Sequence, residues 1–186
     1  MKVERLAIPE VLLIEPARFQ DARGFFSEVW SRRALAQHGL DVDFVQDNHS
    51  LSRETGVLRG LHFQTPPAAQ GKLVRVVRGA ILDVAVDIRQ GSPSYGRHVA
   101  AVLSAENWKQ LWVPRGFAHG FCTLEPDTEV IYKVDAPYDR GCDAGIRWDD
   151  PALGIDWPVR DPVLSDKDRV APLLAEITPP FPQGAW

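Results

Sequence analysis

The 186-residue sequence contains only two cysteines and no long apolar run. Cys122 and Cys142 lack the spacing of a metal motif, and a chain of this length does not need a disulfide framework to fold. We therefore expect both thiols to be reduced, as in the cytoplasm. No apolar stretch approaches the roughly 18 residues of a membrane-spanning helix, and the start lacks the order of a signal peptide. The sequence predicts a soluble, cytoplasmic protein with no membrane partner.

The sequence also lacks an excess of positive charge, because 25 acidic residues outnumber 21 basic ones and leave a formal net charge of -4. This balance gives no overall attraction for nucleic acid, so an anionic ligand would need a local basic pocket. Hydrophobic residues make up 45% of the chain. The composition predicts one globular domain, residues 1–186, with a sizeable core.

Short stretches rich in valine and isoleucine alternate with glycine and proline turns along most of the chain. Residues 73–89 predict one long strand, or two strands with a turn at Gly79, and residues 128–134 predict another strand. Residues 1–14 end in an apolar run that suits an edge strand stopped by Pro16. The pattern predicts an all-β sandwich or barrel.

Residues 19–28 form a turn-containing segment with an unusual weight of aromatic side chains, Phe19, Phe25 and Phe26. These rings either plug one end of a barrel or form a lid over a ring-shaped ligand. A short helix is predicted next, capped by Ser31 and ended by Gly39.

The carboxyl-terminal part, residues 165–186, is predicted to hold a second helix and a tail. Ser165 opens this helix, which extends over residues 166–177 and is interrupted by Pro172. Asp168 has capping-box spacing from Ser165, so one interpretation of Asp168 is simply an acid at a helix start.

Residues 56–79 bring polar side chains together between two apolar, strand-like segments: Arg59, His62, Gln64 and Lys72. A second segment of this kind, residues 113–124, makes a turn and then carries His119. Together the two segments resemble the paired motifs of a cupin-type double-stranded β-helix, a jelly-roll barrel with a few short helices.

The cupin resemblance raises the question of a metal, which cupins usually bind through three histidines and a glutamate. Here His62 is followed by Phe63 and Gln64, and no glutamate occurs before Gly79. His119 alone remains in the second motif. Two isolated imidazoles are a poor transition-metal site, so we expect neither a metal nor another cofactor.

The remaining residues suit proton transfer beside a carbonyl group. His62 can remove a proton from an acidified carbon, and Lys72 can stabilise the resulting enolate. Tyr132 is a candidate for returning a proton on the opposite face, and Asp168 for holding the second imidazole nitrogen of His62. A single histidine on a strand is more often structural, so the residues alone leave both interpretations open.

A wider resemblance covers residues 1 to about 175. The segments DARGFFSE, QDNHS, GVLRGLHFQ, QGKLVRVVRG, VPRGFAHGF, EVIYK and LSDKD occur in the order typical of the dTDP-4-dehydrorhamnose 3,5-epimerase family. The resemblance implies a metal-free epimerase that inverts C3 and C5 of dTDP-4-dehydro-6-deoxy-D-glucose through a C4 enolate. It also implies a homodimer in which residues 1–30 cross to the partner.

The resemblance assigns a role to each matching residue. His62 would be the base, Asp168 its partner, Tyr132 the acid and Lys72 the enolate stabiliser. The side chains expected to bind the nucleotide sugar are Phe19, Arg23, Phe26, Glu28, Gln46, Asp47, Asn48, Arg59, Lys72, His119, Tyr138, Asp143 and Lys167.

Two alternatives for the function stay open at this point. A relative that inverts only one carbon would use the same residues, and a non-catalytic cupin would bind the nucleotide sugar without turnover. Asp143 adds a question about the nucleotide, because it stands where the family commonly has glutamate. It is either a ligand with a shorter arm or a solvated loop acid.

Overall fold

The computed structural model describes residues 1–182, which fold mainly into two antiparallel β-sheets packed against each other. The larger sheet contains, in spatial order, β1 (Lys2–Arg5), β2 (Leu12–Glu15), β10 (Gln110–Val113), β7 (Lys72–Arg78), β12 (Thr128–Val134) and β5 (Gln46–Ser52). The smaller contains β13 (Asp143–Gly145), β6 (Leu58–Gln64), β11 (Phe117–Thr123), β8 (Ala80–Asp87) and β9 (His98–Ser104).

The remaining elements are short. A separate hairpin is formed by β3 (Phe19–Asp21) and β4 (Gly24–Phe26). The helix α1 (Arg32–Ala36) begins where Ser31 accepts a hydrogen bond from the Ala34 amide, as predicted for a cap. A second helix, α2 (Asp166–Arg169), and a 3₁₀ turn, Leu174–Glu176, lie near the carboxyl end.

The main core lies between the two sheets. Val74 and Val76 of the larger sheet pack with Ile81, Leu103 and Phe121 of the smaller one, and all five side chains are almost fully buried. Burial of such aliphatic and aromatic side chains contributes roughly 1.5 to 3 kcal/mol each. Strand β11 is buried along its whole length, so a polar residue on it requires an internal partner.

The predicted all-β class and most of the predicted strands are confirmed. Residues 73–89 form two strands, β7 and β8, with the turn at Gly79. Gly79 has a φ of +75°, and a Cβ there would lie 2.3 Å from Oγ1 of Thr128. The turn between these strands therefore requires glycine for both its backbone angle and its space.

Two local predictions were wrong. The run that ends at Pro16 is not an edge strand, because β2 pairs with β1 on one side and β10 on the other. The helix expected over residues 166–177 ends at Arg169, and a 3₁₀ turn follows after Pro172. Proline disfavours the helical conformation of the residue before it and lacks an amide hydrogen. The last four tail residues lie outside the described residues.

Candidate active site

A cavity of about 370 Å³ opens between the two sheets. Its polar lining comes from both sheets and from the start of α2: Ser50, Arg59, His62, Lys72, His119, Tyr132, Ser165 and Asp168. Apolar side chains, among them Leu58, Phe121 and Leu164, complete the wall. The cavity therefore gathers the four residues predicted to be catalytic, although they are far apart in sequence.

His62 on β6 and Asp168 on α2 form a close pair, with Nε2 of the imidazole 2.5 Å from Oδ1 of the carboxylate. Asp168 is nearly buried, whereas the His62 side chain is 31% exposed. Burial alone would raise the pKa of Asp168, but hydrogen bonds from His62, Ser165 and the Gly60 backbone hold it below its ordinary value. An ionised carboxylate accepts the Nε2 proton and leaves Nδ1 as the basic nitrogen.

Helix α2 owes its position to a local cap. The amide of Asp168 donates a hydrogen bond to Oγ of Ser165 at 3.2 Å, so the predicted capping is present. The Asp168 carboxylate contacts Ser165 at the start of the helix and also reaches His62. Asp168 therefore both belongs to a helix start and completes a histidine–aspartate pair.

Lys72 is the first residue of β7, and its Nζ donates to the backbone carbonyl of His62 at 3.3 Å. Burial lowers the pKa of the Lys72 ammonium to about 8, although the carboxylates of Asp83 and Asp143 oppose this. The side chain is thus a poorly hydrated cation at the edge of the cavity, a suitable group to stabilise a developing anion.

Tyr132 projects from β12 of the larger sheet, whereas His62 projects from the smaller sheet, and both line the cavity. Burial raises the pKa of Tyr132, with the positive charge of Arg59 opposing the rise. The phenol therefore keeps its proton at neutral pH. An imidazole and a protonated phenol therefore face the same cavity from different sheets.

Arg59 lies beside this pair on β6. Its Nε donates to Oγ of Ser52 at 3.2 Å, and its Nη2 donates to the carbonyl of Leu51 at 3.2 Å. These two contacts fix the guanidinium and leave further N–H groups for a ligand. A fixed guanidinium is suited to bidentate binding of a phosphate oxygen pair.

A second cavity, of about 230 Å³, shares His62, Lys72 and Tyr132 with the first. Its other polar residues include five of the predicted ligands: Gln46, Asn48, Tyr138, Asp143 and Lys167. Gln46 donates to Oδ1 of Asn48 at 2.8 Å and accepts from the Tyr138 amide at 3.0 Å. The two cavities form a continuous polar surface that extends from the His62–Asp168 pair.

Asp143 joins the walls of this second cavity. Its Oδ2 accepts hydrogen bonds from Lys167 of α2 and, at 3.2 Å, from the hydroxyl of Tyr138. Gln64 holds the same loop from below, because its side chain bonds the Ala68 and Pro137 carbonyls and the Asp139 amide. Asp143 therefore has hydrogen-bond partners within the chain, and Gln64 positions the loop that leads to it.

Five predicted ligands do not reach the cavities within the chain. Phe19 and Phe26 on the β3–β4 hairpin are 64% and 69% exposed, and Arg23 and Glu28 are also exposed. The hairpin is thus neither a plug nor a lid for its own barrel. Asp47 lies on the opposite face of β5 from Asn48, because side chains alternate along a strand, and it pairs with Lys133 at 2.9 Å.

Asp83 is a site residue that the sequence analysis missed. Its Oδ1 lies 2.7 Å from Nε2 of His119, and both side chains are buried. His119 thus belongs to a second histidine–aspartate pair, beside Lys72. An aspartate within the apolar strand β8 was the available signal, since an acid rarely occupies a buried strand without a partner.

Two glycines allow β6 and β11 to approach closely behind these histidines. A Cβ on Gly60 would lie 2.5 Å from Cα of Gly120, and Gly60 has a φ of +144°. Glycine at these positions therefore sets the spacing of strands that carry His62 and His119.

Residues 1–182 contain no group of three or more histidine, cysteine, aspartate or glutamate side chains arranged to hold a metal ion. No helix in the described part of the chain is long and apolar enough to cross a membrane.

Comparison with known proteins gives consistent matches along the chain. The family model of dTDP-4-dehydrorhamnose 3,5-epimerase matches residues 5–176. The dTDP-4-dehydrorhamnose 3,5-epimerase of Sinorhizobium fredii is 56% identical over 182 residues, which cover 97% of this chain and 93% of the relative.

Two crystal structures share the fold with a TM-score of 0.91. One, dTDP-4-dehydrorhamnose 3,5-epimerase from Bacillus anthracis with TDP and PPi bound, is 51% identical and covers 92% of this chain and 98% of its own. The other, dTDP-6-deoxy-D-glucose-3,5-epimerase from Legionella pneumophila in complex with dTDP-4-keto-L-rhamnose, is 44% identical and covers 95% and 94%. The similarity confirms the predicted cupin-like architecture.

Proposed function

The chain belongs to the dTDP-4-dehydrorhamnose 3,5-epimerase family, and we propose that it inverts C3 and C5 of dTDP-4-dehydro-6-deoxy-D-glucose by proton transfer at His62 and Tyr132. The product would be dTDP-4-dehydro-L-rhamnose. The observation that carries this proposal is the His62–Asp168 pair facing Tyr132 across one cavity. The TDP bound by the Bacillus anthracis structure and the dTDP-4-keto-L-rhamnose bound by the Legionella pneumophila structure support the substrate class.

The proposed reaction begins at Nδ1 of His62. The C4 ketone of the substrate acidifies the hydrogens on C3 and C5, and Nδ1 takes one of them while Asp168 stabilises the imidazolium. Electron density moves to the C4 oxygen as the enolate forms. The Lys72 ammonium, held next to His62 by its carbonyl contact, neutralises that oxygen.

Inversion then requires a proton on the other face of the same carbon. The phenol of Tyr132 approaches from the larger sheet and supplies it, returning the C4 ketone. Before the second inversion His62 releases its proton to solvent and Tyr132 regains one. One acid and one base then serve both carbons if the ring is repositioned between steps, because C3 and C5 flank the same carbonyl. No metal or redox cofactor enters this scheme.

The second cavity is the proposed site for the nucleotide end. Gln46, Asn48, Tyr138 and Lys167 supply amide, phenol and ammonium groups there. Arg59, which lines the larger cavity, supplies a fixed guanidinium for the diphosphate. Asp143 would act through Lys167 and Tyr138, which it already holds, so its shorter arm compared with glutamate bears most on base recognition.

A homodimer with shared sites is the proposed role of the β3–β4 hairpin. The exposed Phe19, Phe25 and Phe26 surround a cavity of about 260 Å³ with Arg23, away from the catalytic residues. Exposed aromatic side chains grouped in this way mark interaction surfaces. In a dimer, Arg23 and Glu28 would reach the site of the partner subunit.

Mixing two inactive variants tests this exchange. A hybrid of His62→Ala and Arg23→Ala subunits contains one complete site if Arg23 acts on the partner, because the His62→Ala subunit supplies Arg23 to the intact His62. We expect activity to reappear on mixing after mild unfolding and refolding. Absence of activity in purified hybrids, with both parent homodimers folded, would place Arg23 in its own site.

Solvent deuterium incorporation tests the reaction itself. Proton NMR of the protein with dTDP-4-dehydro-6-deoxy-D-glucose in heavy water should give deuterium at both C3 and C5. Label at C3 alone would identify a single-carbon epimerase, and no label with retained binding would identify a non-catalytic cupin.

The location of the protein in the cytoplasm stays a prediction from the sequence.

A further inference from the structure

The pair formed by Asp83 and His119 has no role in the proton transfers described above. The two residues lie on neighbouring strands β8 and β11, and Nε2 of His119 is 2.7 Å from Oδ1 of Asp83. Oδ2 of Asp83 is buried without a hydrogen-bond partner among residues 1–182. Burying a carboxylate in this way costs stability, so a function for the pair is expected.

The contact determines which nitrogen of His119 carries the proton. A carboxylate only accepts hydrogen bonds, so the proton lies on Nε2. Burial and the nearby positive charges of Lys72 and His62 lower the pKa of His119, although Asp83 opposes them. In the neutral ring, Nδ1 is then an acceptor with a free lone pair.

The surroundings of His119 make such an acceptor useful. The ring lines the larger cavity, and its Nδ1 has no hydrogen-bond partner in the described part of the chain. Around it the cavity presents donors, namely the guanidinium of Arg59, the ammonium of Lys72 and the phenol of Tyr132. A ligand group that donates a hydrogen bond complements Nδ1, whereas a ketone or enolate oxygen, which only accepts, does not.

We propose that Asp83 is a positioning residue that holds His119 with Nδ1 as an acceptor for a sugar hydroxyl at C2 or C3, beside or on the reacting carbon C3. The inference rests on the proposed function for the identity of the sugar. It separates the two histidines chemically: His62 removes protons, whereas His119 recognises a hydroxyl and leaves enolate stabilisation to Lys72.

Nitrogen NMR of the full chain with ¹⁵N-labelled histidine tests the protonation directly, without turnover. We expect His119 to show a protonated Nε2 and an unprotonated Nδ1. His98 is an internal reference of the opposite kind, because its Nδ1 lies 3.1 Å from the Leu153 carbonyl and must donate. A proton on Nδ1 of His119 at neutral pH would overturn the proposal, whatever the outcome of the deuterium experiment.

Ligand addition tests the hydroxyl. Binding of dTDP-glucose, which has sugar hydroxyls but no ketone, should move the Nδ1 resonance of His119, whereas dTDP alone should not. If the Nδ1 resonance of His119 does not move at saturating dTDP-glucose, His119 does not bind a sugar hydroxyl and the proposal is wrong.

The variant Asp83→Asn tests the positioning role, because the amide can donate to Nε2 and drive the proton to Nδ1. Because the Asp83 carboxylate also supports the charge of Lys72, the kinetics are measured below pH 7, where Lys72 stays charged. There, a hydroxyl contact present in both the ground and transition states should raise KM by about 3- to 10-fold with kcat changed less than about 3-fold. A fall in kcat with an unchanged KM would contradict it. The NMR assignment in the wild-type chain decides the question even if this variant folds poorly.

Discussion

Asp168 on helix α2 meets His62 on strand β6 at 2.5 Å, although 106 residues separate them in the sequence. The carboxylate is buried and the imidazole is accessible from the cavity. This arrangement orients the ring and leaves Nδ1 available for the proposed role of base. It also provides a clear first target for mutation.

Replacing His62 with alanine should abolish both turnover and deuterium exchange, because no other group would be positioned to take the proton. General bases contribute about 10²- to 10⁴-fold, so the rate should fall by at least about 100-fold. Stopped reactions analysed by NMR measure both quantities. The control is His49→Ala, since His49 faces away from the cavity and pairs with Glu129 at 2.9 Å. Retained exchange in the His62 variant would move the base elsewhere.

Replacing Tyr132 with phenylalanine should slow product formation by about 100-fold or more, while exchange of the substrate proton with solvent continues. In the proposed reaction the phenol returns a proton after His62 has removed one, so the two measurements separate. Tyr95→Phe provides a matched control, because Tyr95 lies in the turn before β9, outside both cavities. Equal losses in exchange and product would argue against Tyr132 as the returning acid.

The pH dependence should reveal Lys72. Its ammonium has a pKa of about 8, so kcat/KM should fall as pH rises through that value and the charge is lost. The phenol of Tyr132 is not the source of this limb, because burial raises its pKa above the ordinary value. In Lys72→Arg, whose guanidinium stays charged, the remaining activity should not fall near pH 8. A fall that persists in this variant would assign the limb to another group.

Replacing Gly60 with alanine should destabilise the fold, because the new Cβ would lie 2.5 Å from Cα of Gly120. We expect the free energy of unfolding in urea to decrease by about 2 to 4 kcal/mol. Gly24→Ala is the control, since Gly24 has a φ of +128° but an added Cβ would meet nothing within 4 Å. The decrease in the free energy of unfolding of Gly24→Ala reports backbone strain alone and should be about 1 to 2 kcal/mol. Similar losses in both variants would remove the contact with Gly120 as the cause.

The sequence predicted the strands, and which four residues line one cavity as proposed catalytic groups, better than the polar partners around them. Periodicity and glycine turns locate β7, β8 and β12 because these patterns depend on local backbone geometry. The partner of His119 could not be identified in this way, since Asp83 meets it only across paired strands. The direction of Asp47 was missed for a different reason: a motif gives a residue's position, whereas strand alternation decides which face it occupies.

The limits of the carboxyl-terminal prediction have a similar physical basis. The residue types in positions 166–177 favour a helix, but Pro172 prevents a continuous one. The single turn of α2 matters for the site, because it carries Asp168, whose carboxylate reaches His62 on β6. The contact of the β3–β4 hairpin with the site of a partner subunit stays a prediction.

Helix α2 places Lys167 and Asp168 side by side, with Lys167 reaching Asp143 at the proposed nucleotide end and Asp168 reaching His62. Contacts with the nucleotide would therefore brace the element that orients the base. Binding energy gained far from the ring can then be used for the chemical step. We expect a sugar that lacks the nucleotide to have a lower kcat as well as a higher KM. The dTDP group would then activate the catalytic residues in addition to binding the substrate.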